Sequence, residues 1–421
     1  MTRLAPRLAP AAALALLAVV ATGCRKAAPP PPPDAGPVAS LSARCERRDF
    51  SACDSLGDRY ERGAGVTQDD ARAAALYRRA CDGGFAGGCT HLGWLVESGR
   101  GVGRDPAAAA TLYRRACDGR HLRGCTNLGW LLENGTGVTA DLPAAIALYQ
   151  RACEGDEGVA CGNLGRLHAE GVGVARDLAQ ARTFFTRSCD HGAWASCTRL
   201  GWMYESGEGV AVDAAQAAVR YRRACDEGEA RGCVNLGWLY QNGAGVPGDA
   251  NRARVLYERS CAQGNALGCA NLAGLYEQGI GVAVDLPRAA ASYERACEAG
   301  NHPACTTLST MYQEGRGVTR DLARALSLAE RACEGGNALA CNNAGWLHNE
   351  APGRPHDPVR ALSRYARGCE SGNALACANL GSMYQHGLGA AVDLPRAREL
   401  YNLACTRDLE MGCRLRDALR R

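Results

Sequence analysis

The chain has 421 residues, 47% of them apolar and 22% charged, enough for one large domain or two or three small ones. Its formal charge of +4 includes Arg3 and Arg7 in an N-terminal leader, and the near-neutral remainder excludes a nucleic-acid binder held mainly by electrostatics. The single lysine, Lys26, stands beside a proline run, which excludes a lysine Schiff base, a P-loop lysine or a Ser-x-x-Lys pair in the folded part.

Residues 1–23 have the pattern of an export signal: two arginines and no acid, then the apolar run Leu8 to Ala21, too short to span a bilayer. The run ends in Val20-Ala21-Thr22-Gly23-Cys24, small residues before a cysteine, which resembles the lipobox of bacterial lipoproteins. That resemblance implies cleavage before Cys24 and acylation of its thiol, with Ala21 where leucine is usual. Residues 24–44 are expected to be the lipidated cysteine and a proline-rich spacer, with 25–40 stiff and extended at roughly 3.1 Å per residue. Such a tether would hold a domain off a membrane.

From residue 45 the cysteines come in pairs eight residues apart: Cys45 and Cys53, Cys81 and Cys89, Cys117 and Cys125, Cys153 and Cys161, Cys189 and Cys197, Cys225 and Cys233. The series continues with Cys261 and Cys269, Cys297 and Cys305, Cys333 and Cys341, Cys369 and Cys377, and Cys405 and Cys413. Every second one lies 36 residues on, without insertion or deletion, which marks stacked supersecondary units. Within one period Cys125, Leu128, Gly129 and Leu132 share a helical face, and Gly135-Thr136-Gly137 ends that helix. Asp141 then caps a second helix. An aspartate recurs there in all ten periods, at 69, 105, 141, 177, 213, 249, 285, 321, 357 and 393, each worth about 1 kcal/mol as an N-cap. Four residues after each stands an alanine, Ala73 to Ala397, and eight after it a tyrosine or phenylalanine, except at Ala329. The unit is therefore an antiparallel helix pair, A then B. Repeat seven replaces the helix-A glycine with Ala273, repeat eight with Ser309, and repeat nine has a different turn at Ala351–Pro355.

These residues resemble the Sel-like repeat, a relative of the tetratricopeptide repeat, as in Leu236-Gly237-Trp238-Leu239-Tyr240, Gly243-Ala244-Gly245-Val246, Asp249, Ala253 and Tyr257. The Cys-x7-Cys decoration is similar to the Helicobacter cysteine-rich proteins. The expected fold is an all-α, right-handed superhelical solenoid of ten 36-residue helix pairs over residues 45–421, cross-linked by disulfides. Two pairings are open: within each Cys-x7-Cys, or within a repeat, as Cys53 with Cys81. The second strands Cys45 and Cys413, so counting favours the first, and the resemblance implies the same. Zinc is disfavoured, because seven intervening residues do not suit a knuckle, the histidines do not follow the period and exported thiols oxidise.

The resemblance also implies penicillin binding and weak β-lactamase activity, the alternative reading. The residues argue against the known mechanisms, since no lysine is available to a serine enzyme and the eight histidines contain no His-x-His. No catalytic residue, metal or cofactor is expected. What remains is a surface. Trp94, Trp130, Trp202, Trp238 and Trp346 occupy one repeat position, about 200° around helix A from the buried leucine, and the sixth, Trp194, reads as a loop residue. Glu97, Glu133, Glu205 and Gln241, with Glu277, are expected to share the groove and orient a ligand, with Asn134 and Asn242 beside them. A second ladder, Asn127, Asn163, Asn235, Asn271, Asn343 and Asn379, is assigned to bonds between repeats, and the arginine pairs ending helix B (Arg78-Arg79, Arg114-Arg115, Arg222-Arg223) to helix dipoles and solvent. The expected function is an exported, lipid-anchored scaffold in a bacterial envelope, the outer membrane favoured, with the repeats in the periplasm or at the cell surface. It would bind a protein, peptide or peptidoglycan-related ligand on the concave helix-A face and touch membrane only through its lipid.

Overall fold

The computed structural model describes residues 36–349, 351 and 355–419. The leader, Cys24 and the spacer up to residue 35 lie outside the described residues, as does most of the altered turn of repeat nine. Among the described residues there are 22 helices and no strand, nearly all helices being 13 residues long. The chain divides into two compact units, one ending at Gly124 and one beginning at Cys125.

Each unit is a stack of antiparallel A and B helices. The A helix Ala230–Asn242 ends at Gly243 in the left-handed region, φ +65°, where its amide closes on Leu239. Gly245 also has positive φ, at +69°, and a Cβ there would lie 2.2 Å from the backbone of Ala214 at the start of the preceding B helix. The Gly-x-Gly turn thus reverses the chain and seats it against the previous repeat. All ten aspartates predicted as caps accept from amides at the start of their B helix, as Asp213 does from Gln216.

The core is a seam of small and aromatic residues. The ten alanines from Ala73 to Ala397 are fully buried. In eight repeats the helix-A glycine carries the B-helix ring: a Cβ on Gly57, Gly93, Gly129, Gly165, Gly201, Gly237, Gly345 or Gly381 would come within 2.6–2.8 Å of ring carbons. Where the glycine is absent the ring gives way. Beside Ala273, Tyr293 is only half-buried. Beside Ser309 the ring is replaced by Ala329, and the serine Oγ donates to the Ala325 carbonyl at 2.7 Å.

In ten of the Cys-x7-Cys motifs the cysteines pair within the motif, from the end of helix B to the start of the next helix A, as counting favoured. The bridges are Cys45–Cys53, Cys81–Cys89, Cys153–Cys161, Cys189–Cys197 and Cys225–Cys233, followed by Cys261–Cys269, Cys297–Cys305, Cys333–Cys341, Cys369–Cys377 and Cys405–Cys413. Their Cα atoms lie 4.5–4.8 Å apart, within the usual reach of a disulfide. Cys117 and Cys125 are disulfide-bonded as well. The alternative within a repeat, Cys53 with Cys81, does not occur.

The arginines near the ends of helix B act across repeats. Arg115 and Arg295 donate to the carbonyls of Cys81 and Cys261, and Arg187, Arg259, Arg331 and Arg367 to the last carbonyl of the B helix before their own. They satisfy the negative end of a neighbour's helix dipole rather than their own.

Two expectations need correction. The stretch expected to be extended over 25–40 is not extended at its end, because Pro37–Glu46 is helical, with proline in the first turn, and Cys45 bonds it to the first A helix. Trp194 is the first residue of the helix Trp194–Ser206, not part of a loop. Its ring packs beside the Cys189–Cys197 bridge with the Arg223 guanidinium 5.7 Å away.

Candidate binding face

Within the second unit several consecutive A helices touch, such as Trp194–Ser206, Ala230–Asn242 and Ala266–Gln278, while successive B helices stand further apart. The A side is therefore the inner face of that stack. Four of the five ladder tryptophans project into solvent: Trp94, in the first unit, is 42% exposed, and Trp130, Trp202 and Trp238 are 45%, 40% and 45% exposed. None of their indole N–H groups has a protein partner among the described residues. Arg100 stacks over Trp94 at 4.7 Å and Arg199 over Trp202 at 4.2 Å, whereas among the described residues no cation covers Trp130 or Trp238. Trp346 differs, half-buried against the core.

The acids expected to orient a ligand have another task. Glu97, Glu133, Glu205 and Glu277 each accept the hydroxyl of the B-helix tyrosine 16 residues on, at 2.6–2.9 Å, and Gln241 does the same for Tyr257. Tyr221 is fully buried, and its phenol pKa is pushed up first by burial and then by the facing Glu205. Tyr149 behaves alike beside Glu133. One oxygen of each carboxylate thus closes its own repeat, and this part of the expected groove is structural. The sequence holds a signal for it: the one repeat with phenylalanine, Phe185, has Ala169 where the acid would stand.

The asparagine ladder does link repeats. Asn163, Asn235 and Asn271 lie beside the hydroxyls of Tyr149, Tyr221 and Tyr257 of the preceding repeat, and Asn379 donates to Asn342 at 2.9 Å. In the first unit His91, at the equivalent position, bonds Asp54 at 2.7 Å. Asn134 and Asn242, beside the tryptophans, donate to the carbonyls of Trp130 and Trp238 and keep their oxygens free for an incoming donor.

Arginines on this face were not anticipated. Arg166 replaces tryptophan and Arg199 replaces asparagine at their ladder positions, and Arg231 is exposed on the next A helix. Arg199 is held by Glu208 at 2.9 Å and lies between two clefts on the inner face. Among the described residues no group of three or more His, Cys, Asp or Glu side chains could hold a metal ion. No helix there is long and apolar enough to cross a membrane.

Two solved structures with this architecture are similar over most of the chain, and a third over about a third of it. The crystal structure of c5321, a protective antigen present in uropathogenic Escherichia coli strains displaying an SLR fold, is 28% identical, with a TM-score of 0.58, over 89% of this chain and 80% of that one. A Sel1 repeat protein from Oxalobacter formigenes is 27% identical, with a TM-score of 0.56, over 73% of this chain and 89% of its own. Helicobacter pylori cysteine rich protein B is 28% identical over 34% of this chain and 98% of its own, with a TM-score of 0.26. No curated protein matches the chain. The Sel1 repeat pattern matches ten consecutive segments, 51–85, 86–121, 122–157, 158–192, 194–229, 230–265, 266–301, 302–337, 338–373 and 374–409, in register with the helix pairs. The chain is a disulfide-rich member of the Sel1 repeat family.

Proposed function

We propose that this protein is an exported, lipid-anchored scaffold that captures a protein, peptide or cell-wall-derived ligand on its helix-A face. The observation that carries the reading is the tryptophan row: four rings 40–45% exposed at one repeat position, with no acceptor for their indole donors among the described residues. Large amphipathic rings held on a rigid scaffold concentrate binding energy at little entropic cost. Their bonding carbonyls and neighbouring asparagines supply polar groups around them. Export is supported by the leader and lipobox-like segment, by disulfide use at every repeat junction, and by the description of the similar c5321 as a protective antigen.

Two substitutions test binding. Trp130→Ala and Trp238→Ala should weaken crosslinked capture from the native envelope about thirtyfold per central ring, with melting temperature nearly unchanged. A large fall in melting temperature with normal capture per folded molecule would return the rings to a packing role. Cys24→Ser should move the protein from the membrane to the soluble fraction. Retention on membranes would refute the lipid anchor.

A further inference from the structure

In an array of fixed period each repeat serves as a control for the others, so departures that gather in space point to a site. The segment from Gly158 to Arg199 holds three at near-constant positions, Ala169, Phe185 and Arg199, and three at variable ones. Ala169 replaces the acid or amide, Phe185 replaces tyrosine, Arg166 stands where five repeats have tryptophan, and Gly162 where Thr90, Thr126, Thr198 and Thr306 but also Val234 and Ala270 stand. Trp194 begins a helix that starts elsewhere with smaller or unrelated residues, and Arg199 replaces asparagine. All six line one cleft of about 510 Å³ between the A helices Gly158–Glu170 and Trp194–Ser206. With neither carboxylate nor hydroxyl at Ala169 and Phe185, the polar link that closes seven other repeats is missing, and the floor is apolar. The rim carries two arginines, each in ion pairs with glutamates. Glu170 holds Arg166 at 2.9 Å and Glu133 engages it from the preceding repeat, while Glu208 and the Trp202 ring hold Arg199. Each guanidinium is fixed in place and keeps donors to spare.

A second cleft of about 280 Å³ follows between Trp194–Ser206 and Ala230–Asn242, sharing Ala195 and Arg199 with the first and walled by Trp202. Its acid, Glu229, is spent on Thr198 Oγ1 at 2.5 Å and the Gly232 amide at 2.6 Å. Its cation, Arg231, is exposed and has no acidic partner among the described residues. The pair of clefts is therefore apolar at two points, with the spare guanidinium donors of Arg199 between them and the exposed Arg231 beside them. Packed helices lie roughly 8–10 Å apart, and an extended polyproline II chain advances about 3.1 Å per residue with three residues per turn, so neighbouring clefts match side chains three residues apart on one face.

We propose that these two clefts dock an extended acidic peptide segment of a partner protein. Its first apolar side chain would sit on Phe185 and Ala169, a second, three residues on, beside Trp202, and acidic residues between them would meet Arg199 and Arg231. The proposal deepens the function above and rests on its choice of the helix-A face.

The test is titration of oxidised, full-length protein with a dye-labelled peptide, acetyl-GSFDELGS-amide, followed by fluorescence anisotropy. Saturable binding is expected, at least tenfold weaker for acetyl-GSFNQLGS-amide and for acetyl-GSSDESGS-amide. The double substitution Ala169→Glu with Phe185→Tyr rebuilds the closing pair of the other repeats, so it should preserve the melting temperature while weakening the acidic peptide at least tenfold. Arg199→Gln should erase the preference for the acidic over the neutral peptide. No saturable binding to the parent protein, or equal binding to the well-folded double variant, would overturn the proposal. Val359 is exposed on a B helix outside both clefts, so Val359→Ser should leave probe affinity unchanged. Envelope capture by the Trp130→Ala variant tests the wider reading separately.

Discussion

The bond between helix A and helix B inside a repeat can be weighed by a double-mutant cycle on Tyr221 and Glu205. The Tyr221 ring is fully buried over Gly201, and its hydroxyl donates to Glu205 at 2.6 Å. Tyr221→Phe removes one charge-assisted hydrogen bond and leaves a half-buried carboxylate that water can reach, for a loss of about 1.5–2 kcal/mol. Glu205→Ala leaves a buried hydroxyl with only Asn235 beside it, for a loss of about 1–3 kcal/mol. The double substitution recreates the Phe185/Ala169 combination that the chain already uses, so it should cost no more than the worse single change, a coupling of about 1–2 kcal/mol. Urea denaturation gives the global numbers. Hydrogen exchange across residues 194–242 localises them, which matters because repeat arrays need not unfold in one step. Additivity of the two single changes to within about 0.5 kcal/mol would show that the bond does not close the repeat.

Four further outcomes are expected. Burial, reinforced by a facing carboxylate, pushes the phenols of Tyr77, Tyr149 and Tyr221 far above the ordinary value of 10, and burial pushes Tyr257 up to about 12. The folded state then keeps protons that the unfolded chain releases, so this stability is complete below about pH 10 and declines as pH rises through the folded values, which melting curves from about pH 8 to 11 will follow. Full reduction should lower the melting temperature sharply, since each eight-residue closure contributes about 2.5 kcal/mol before strain, and proteolysis of unreduced protein should yield Cys81 linked to Cys89. Gly237→Ala drives a methyl to 2.7 Å from the Tyr257 ring and should cost about 1–3 kcal/mol, whereas Gly274→Ala meets open space and should gain about 0.5–1 kcal/mol in denaturation midpoints. Nitrocefin hydrolysis by purified oxidised protein should not exceed that of a reduced control, since the only lysine is Lys26.

Much of the fold was legible because its requirements are local and recur. An aspartate that must cap, a glycine that must turn and an alanine that must admit a neighbouring helix each show themselves at one position in every period. The bond of the acid row to the tyrosines was not legible for the opposite reason. Glu205 on a helix surface resembles a solvent-facing group, and its partner Tyr221 lies 16 residues away on the other helix. The same holds for Arg259, whose acceptor is the Asp226 carbonyl 33 residues earlier. The spacer was overextended because proline marks both an extended tether and the first turn of a helix, and Pro37 is of the second kind. The tryptophan row was legible from its angle to the buried leucine, except at Trp346, where the ring folds back on the core.

Departures from the period fall into two kinds. Ser309 with Ala329 is compensated: the ring is gone, the serine takes a backbone carbonyl in its place, and both residues are buried. Ala273 with Tyr293 is compensated by displacement of the ring. Phe185 with Ala169 balances its hydrogen bonds, because donor and acceptor are lost together, but it does not balance volume, and the space left opens to the inner face between two arginines. A stacked array tolerates such a gap, since each repeat is held by its own caps, seam and disulfides and contacts chiefly its neighbours. Stability thus resides in what the repeats share, and selectivity can be placed wherever a balanced change of bonding leaves an unbalanced change of shape.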